Sequence, residues 1–234
     1  MKVTTIRNDR NVPPGHIERA VRDRGHQLEL VRLDEGDELP DVADVEAVVV
    51  LGGEMGVYDV DAYPYLSAEL TFLKASVDAG VPVLGVCLGC QLLAQALGGS
   101  AYLAERPEVS FAPLRVEVDD SVVGKLADGP TLMIHRDTWD LPPGGTLIAR
   151  SEHYNQAFRF GSAVAVQPHP EVDEAIAASW LTTPHGETLA RSAGTDASDV
   201  LASFRSSAGE VSLLADDFFG AWLAEAETLR AADM

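Results

Sequence analysis

Short apolar runs alternate with amphipathic stretches through the first half of the chain, and that alternation predicts its architecture. Lys2–Ile6 reads as a strand. A helix through Ile17, Val21 and Arg24 follows Pro14, and Leu28–Leu33 reads as a second strand. Asp34–Asp44 is acidic and holds Pro40, which predicts a loop. Glu46–Leu51 is a buried-strand run ending at Gly52-Gly53, and a loop through Tyr58, Asp59, Asp61 and Tyr63 leads to Pro64. Leu66, Leu70, Leu73 and Val77 form the apolar stripe of a helix over 66–79, capped by Gly80. Val81–Val86 is the next strand, with Pro82 tolerated at its start. A glycine-flanked corner, Gly85-Val86-Cys87-Leu88-Gly89, leads into a helix over Gln91–Leu97, closed by Gly98 and Gly99.

This order predicts an α/β fold with a mostly parallel central sheet and helices on both faces. Sites in such sheets form beyond the carboxyl ends of the strands, so Gly52-Gly53 and Cys87 are expected to share one crevice. Phe111–Val118, Thr131–Ile134, Thr146–Ala149 and Ala163–Gln167 read as further strands, separated by Pro- and Gly-rich turns. The last runs into His169-Pro170-Glu171, with Pro170 expected near the start of a helix through Ala175, Ala178 and Trp180. Pro184–Ser198 is polar, and helices are expected over 199–206 and 210–231. Val211, Leu214, Phe218 and Trp222 give the last helix an apolar face, either packed on the core or docking a partner. The expected organisation is one domain over 1–183 and a helical C-terminal extension over 184–234, packed on or near the core.

Composition narrows the function. At 234 residues, 46% hydrophobic and 23% charged, the chain suits a globular domain with a sizeable core. Its formal net charge of −20 argues against a nucleic-acid-binding surface and against anionic membranes. The N-terminus lacks the apolar stretch of a signal peptide, and no apolar run approaches the ~20 residues of a membrane span. Cys87 and Cys90 are the whole cysteine inventory, so no disulfide framework exists and a reducing cytoplasm is expected.

Cys87 stands at a strand–turn–helix corner of the kind that exposes a nucleophile, where the helix N-terminus favours a thiolate. A cysteine nucleophile needs a base, a group that orients the base, and donors for the oxyanion. His169 and Glu171 supply the first two, and the N–H groups of Leu88 and Gly53 the donors. Three other readings remain: an inert core cysteine, a C-x-x-C redox pair of Cys87 and Cys90, or a metal site from Cys87, Cys90 and His169. The redox pair leaves His169 and Glu171 unexplained, and the metal site has no clear fourth ligand. No cofactor is called for. His135 and His153 read as surface or hydrogen-bonded histidines, His135 with the option of lining the crevice.

Gly85-Val86-Cys87-Leu88-Gly89-Cys90-Gln91 with His169-Pro170-Glu171 resembles the class I (triad) glutamine amidotransferases, most closely the stand-alone members similar to the amidotransferase domain of GMP synthase. Gly52–Asp59, Asp137–Gly144 and Tyr154–Phe158 carry the resemblance further, in consistent order from Val48 to Val172. It implies a flavodoxin-like fold and hydrolysis of the glutamine side-chain amide by a Cys87–His169–Glu171 triad. Gln91, Asn155 and Phe158 would contact the glutamine, and the ammonia would pass to a separate synthetase subunit. Glu54 stands where many relatives carry proline; it would either favour a γ-glutamyl compound with a cationic or donor-rich leaving group or be a solvated loop carboxylate. Three classes follow: an ammonia-supplying glutaminase, a self-contained γ-glutamyl amide hydrolase, and a non-catalytic binding subunit. The intact triad argues against the last.

Overall fold

The computed structural model describes residues 1–232; the last two positions of the expected C-terminal extension lie outside the described residues. The first half runs β1 (Lys2–Arg7), α1 (His16–Asp23), β2 (Gln27–Arg32), β3 (Ala47–Val50), α2 (Tyr65–Asp78), β4 (Val83–Val86) and α3 (Leu88–Ala96). Six strands follow: β5 (Ser100–Pro113), β6 (Arg115–Val116), β7 (Pro130–Asp140), β8 (Thr146–Arg150), β9 (Asn155–Phe160) and β10 (Ala163–Val166). Four helices close the chain: α4 (Glu174–Leu181), α5 (Pro184–Ser192), α6 (Ala197–Ser206) and α7 (Ala208–Ala232).

The main sheet has the order β2-β1-β3-β4-β10-β9-β8-β6. Its first five strands are parallel, and β9, β8 and β6 add on antiparallel. The central strands β3, β4 and β10 are buried at every position, as strands covered on both faces must be. Alternate residues of β3 divide between two apolar layers, because successive side chains point to opposite faces. Ala47, Val49 and Leu51 meet Ile17 and Val21 of α1 and Phe218, Phe219 and Trp222 of α7. Val48 and Val50 meet Leu66, Phe72 and Leu73 of α2 and Leu92 and Leu93 of α3. The last helix therefore shares the core, and an Arg159–Asp120/Glu225 ion cluster ties it to β9.

The two-stranded β5–β7 ribbon stands apart from the main sheet. Its Val109 and Leu132 pack with α4, α5 and α6 in a third apolar cluster. Among the described residues, no helix is long and apolar enough to cross a membrane.

Three local expectations need correction. The polar stretch after Thr183 opens with α5, because the Thr183 hydroxyl accepts the Gly186 N–H at 3.0 Å and Pro184 sits in the first turn. Its buried positions are the small residues Gly186 and Ala190, so no apolar stripe announced it. Strands β5 and β7 extend well beyond the expected segments: the adjacent Tyr102 and Leu103 point to opposite faces of β5 and are both exposed, so no apolar–polar alternation marked its start. Pro170 lies before α4 and not in its first turn: Asp173 caps that helix by accepting the Ile176 N–H at 2.8 Å.

Candidate active site

The strand β4 ends at Val86 and α3 begins at Leu88, leaving Cys87 alone to make the turn. Its φ of 52° and ψ of −104° make it the one non-glycine residue with positive φ among the described residues. Such a conformation persists only where the surroundings enforce it. Here the Cys87 N–H donates to the Val166 carbonyl at 2.9 Å, and its carbonyl accepts the Gln91 N–H at 3.1 Å. The turn is tight because both flanking glycines are filled by main chain. A Cβ on Gly85 would stand 2.5 Å from the Gly89 carbonyl oxygen, and one on Gly89 would stand 2.4 Å from the Val50 carbonyl oxygen.

Three residues beyond β10, His169 is fixed by its N–H donating to the Leu132 carbonyl at 2.9 Å. Its Nδ1 lies 2.7 Å from Oε1 of Glu171, a carboxylate with no solvent exposure. The Glu171 backbone carbonyl accepts the His16 N–H at 2.8 Å, which holds the carboxylate from the α1 side. Nε2 of His169 lies 3.3 Å from the Ile134 carbonyl oxygen, and the Cys87 Sγ lies 4.0 Å from the same atom. Each ring nitrogen faces an oxygen acceptor, so the hydrogen bonds are met by an imidazolium. Burial opposes that charge on His169, but the Glu171 carboxylate hydrogen-bonded to Nδ1 and the neighbouring Cys87 hold it well above the ordinary histidine range. Trp180 meets the ring edge-on, with centroids 4.9 Å apart.

Gly52 and Gly53 pass directly over this pair. A Cβ on Gly52 would lie 3.4 Å from both Cys87 Cβ and His169 Cε1, and one on Gly53 would lie 2.9 Å from Leu88 Cδ2. Leu88 opens α3, so its N–H has no partner within the helix, and the Gly53 N–H has no acceptor among the described residues.

A cavity of about 690 Å³ opens on these groups. Cys87, His169, Gly53, Glu54 and Gln91 all line it. Gln91 is buried, its Nε2 donating to Gln167 Oε1 at 3.2 Å and to the Asp137 carbonyl at 3.3 Å. Glu54 is exposed at the rim. Asn155 and Phe158 are not among the lining residues. Phe158 is fully buried in the layer under α2 and α3, its ring tilted against Trp139 with centroids 4.9 Å apart, and Asn155 Nδ2 donates to the Trp139 carbonyl at 3.3 Å. Cys90 is buried in that same layer, on the other side of the sheet from Cys87, and burial pushes its thiol well up.

Other groups at the cavity had weak sequence signals or none. His135 lines it while hydrogen-bonded to Glu108 Oε2 at 3.0 Å and to the Asp137 carbonyl at 2.9 Å. Ser151 and Gln156 donate to the same Glu108 oxygen, a convergence of residues distant in sequence. The Ile134 carbonyl is main chain and carries no residue signature. Trp180 closes the cavity from α4, anchored by its Nε1 donating to the Asn11 carbonyl at 2.8 Å.

Residues 15–180 match the family described as glutamine amidotransferase class-I. The chain is 32% identical over 160 residues to the GMP synthase [glutamine-hydrolyzing] of Thermosipho melanesiensis, covering 67% of this chain and 30% of that protein. For the GMP synthase of Thermomicrobium roseum the identity is 35% over 159 residues, covering 67% and 29%. The chain therefore spans about three-tenths of the length of these curated relatives. A glutamine amidotransferase structure from Thermotoga maritima superposes with a TM-score of 0.84 at 26% identity, covering 95% of this chain and 97% of that one. One from Methylobacillus flagellatus gives 0.85 at 25%, covering 95% and 94%. The matched segment runs through the Cys87 turn, the Gly52-Gly53 loop and the His169–Glu171 pair, and this chain belongs to the class I glutamine amidotransferase family.

Proposed function

We propose that this chain hydrolyses the side-chain amide of glutamine through a γ-glutamyl thioester on Cys87. The observation that carries the reading is the pairing of a conformationally forced Cys87 with an imidazole backed by a fully buried carboxylate. The thiolate attacks the amide carbon, and the carbonyl oxygen gains the negative charge. The Gly53 and Leu88 N–H groups donate to that oxygen; donors fixed before the reaction lower the barrier without reorganising. As the C–N bond breaks, His169 gives its Nε2 proton to the departing nitrogen, which leaves as ammonia. His169 Nε2, now neutral, then takes a proton from water, whose oxygen attacks the thioester. Collapse releases glutamate and restores the Cys87 thiolate beside an imidazolium. Glu171 keeps the ring oriented and offsets its charge throughout.

The ammonia is proposed to pass to a separate synthetase. The relatives named GMP synthase support this, since the chain matches only about three-tenths of their length. A second reading is a self-contained γ-glutamyl amide hydrolase. It is favoured by the cavity, which extends past the triad beneath Trp180, Thr183 and His185 into space beyond a single carboxamide.

The test is ammonia and glutamate release from glutamine by the purified chain, beside Cys87→Ala. Cys87-dependent release on glutamine, rising when a synthetase is added, supports the first reading. Fast turnover of a larger γ-glutamyl amide by the chain alone supports the second. Turnover that survives Cys87→Ala would overturn both.

A further inference from the structure

Behind the Gly52-Gly53 loop lies a buried carboxyl that the triad does not use. Glu69 projects from α2 and is completely removed from solvent. No lysine, arginine or histidine pairs with it among the described residues; its side-chain partner is Asn8, just past β1, whose Nδ2 donates to Glu69 Oε1 at 3.1 Å. The other two oxygens of the pair, Glu69 Oε2 and Asn8 Oδ1, are buried and unpartnered. A carboxylate leaves both as acceptors facing no donor, in an apolar layer where unmet polar atoms are costly. A carboxylic acid supplies the missing donor, and Asn8 Oδ1 the missing acceptor. Burial pushes the Glu69 carboxyl up to about 8 even though the Asn8 hydrogen bond pulls it down.

Asn8 connects this pair to the site. A Cβ on Gly53 would lie 3.6 Å from Asn8 Cβ, so the asparagine is directly under the loop. The Asn8 carbonyl accepts the Tyr65 hydroxyl at 2.9 Å, a second tie between the end of β1 and α2. We propose that Glu69 is a positioning residue, its carboxylic O–H and Oε1 gripping the Asn8 amide at two points and thereby fixing where the Gly53 N–H is aimed. This rests on the reading of Gly53 as an oxyanion donor.

Ionisation of Glu69 would replace that grip with repulsion, and nothing nearby offsets it. On α2 itself the titratable neighbour is Tyr65, whose hydroxyl is pushed up by burial and then by the Glu69 charge. From the end of β1 come Asp9 and Arg7, the latter committed to Asp34 and Glu35. Packed against α2, α3 brings the buried Cys90, β4 no ionisable group, and the turn Val42–Asp44 the exposed Asp44.

The experiment has two arms on the intact chain. In the first, turnover of glutamine is followed against pH for Glu69→Ala and Glu69→Gln, with iodoacetamide labelling of Cys87 alongside. Glu69→Ala is expected to lower kcat by about ten- to a hundredfold with KM within roughly twofold, as a misaimed oxyanion donor should. Glu69→Gln, which keeps both hydrogen bonds, is expected to restore kcat at neutral pH and to remove a fall in rate near pH 8. Cys87 labelling is expected to be unchanged in both, because the thiol–imidazole pair is untouched. Equal kcat in Glu69→Ala and wild type would overturn the proposal.

In the second arm, carboxyl-13C and amide NMR titrate the wild-type chain with no substrate. A glutamate signal absent from Glu69→Gln and titrating near pH 8, with the Gly53 amide shifting in step, is expected. Glu69 ionised at neutral pH, or a Gly53 amide that ignores its titration, would overturn the proposal. An inactive wild type would count against the glutaminase reading and leave this arm decisive for Glu69.

Discussion

Glu171→Gln is the sharpest perturbation of the proposed chemistry, because it changes a charge and almost no volume. Glu171 Oε1 sits 2.7 Å from His169 Nδ1, and both groups are buried. Charge centres roughly 4 Å apart interact by about 4 kcal/mol at an effective dielectric of about 20. The amide dipole and the smaller desolvation cost of an uncharged partner return about half of this, leaving about 2 kcal/mol. His169 then gives up its proton at lower pH than in the wild type. The sign follows from His169, whose folded value is raised by Glu171: the imidazolium survives at low pH and is lost as pH rises. Glu171→Gln should therefore move the alkaline limb of kcat/KM, and with it the pH at which alkylation of Cys87 loses its imidazolium partner, to lower pH. Iodoacetamide labelling followed by peptide mass spectrometry reads the second effect without any substrate, and buried Cys90 serves as the internal reference. Wild-type labelling and an unmoved limb in Glu171→Gln would refute the argument that this carboxylate holds the imidazolium.

Gly89→Ala should destabilise the fold by about 1 to 3 kcal/mol and lower turnover, because the added Cβ meets the Val50 main chain and drives the start of α3 from β3. Gly124→Ala, where a Cβ meets nothing within 4 Å, is the control in the same urea titration. Trp222→Ala should cost about 3 to 5 kcal/mol, since its ring is buried between α7 and the sheet. Its melting transition should stay single by circular dichroism and fluorescence if α7 belongs to the same cooperative unit. Glu69→Gln should flatten the pH dependence of stability. In the wild type, a carboxyl raised to about 8 costs stability progressively as pH climbs above its ordinary value of 4.5, a loss complete beyond the folded value. Stability of the Gln variant should therefore exceed that of wild type by more at pH 8 than at pH 5, measured by denaturant titration.

The parallel half of the sheet was legible because β3 and β4 are short apolar runs punctuated by glycine, with the helices between the strands carrying apolar stripes. The ribbon of β5 and β7 was not, since the start of β5 is exposed on both faces at Tyr102 and Leu103 and shows no alternation of apolar and polar positions. Helix α5 hid for a different reason: capping and small buried residues make it, and neither raises hydrophobic periodicity. At the site, the structure brings together the side chains that the Gly85–Gln91 and His169–Glu171 motifs singled out. What the motifs could not convey is the main chain and the long-range pairs. The Ile134 carbonyl between thiol and imidazole has no sequence signature, and Asn8 and Glu69 are 61 positions apart. Phe158 shows the converse limit: its position in a motif says nothing about which face of β9 it occupies, and the fold turns it into the core against Trp139.

The proposed chemistry requires a covalent γ-glutamyl group on Cys87. Rapid acid quenching during turnover of glutamine, followed by peptide mapping, should find one hydroxylamine-labile glutamyl adduct on the peptide holding Cys87, accumulating when hydrolysis is slowed. Steady release of glutamate with Cys87 unmodified, or an adduct that persists in Cys87→Ala, would contradict the account.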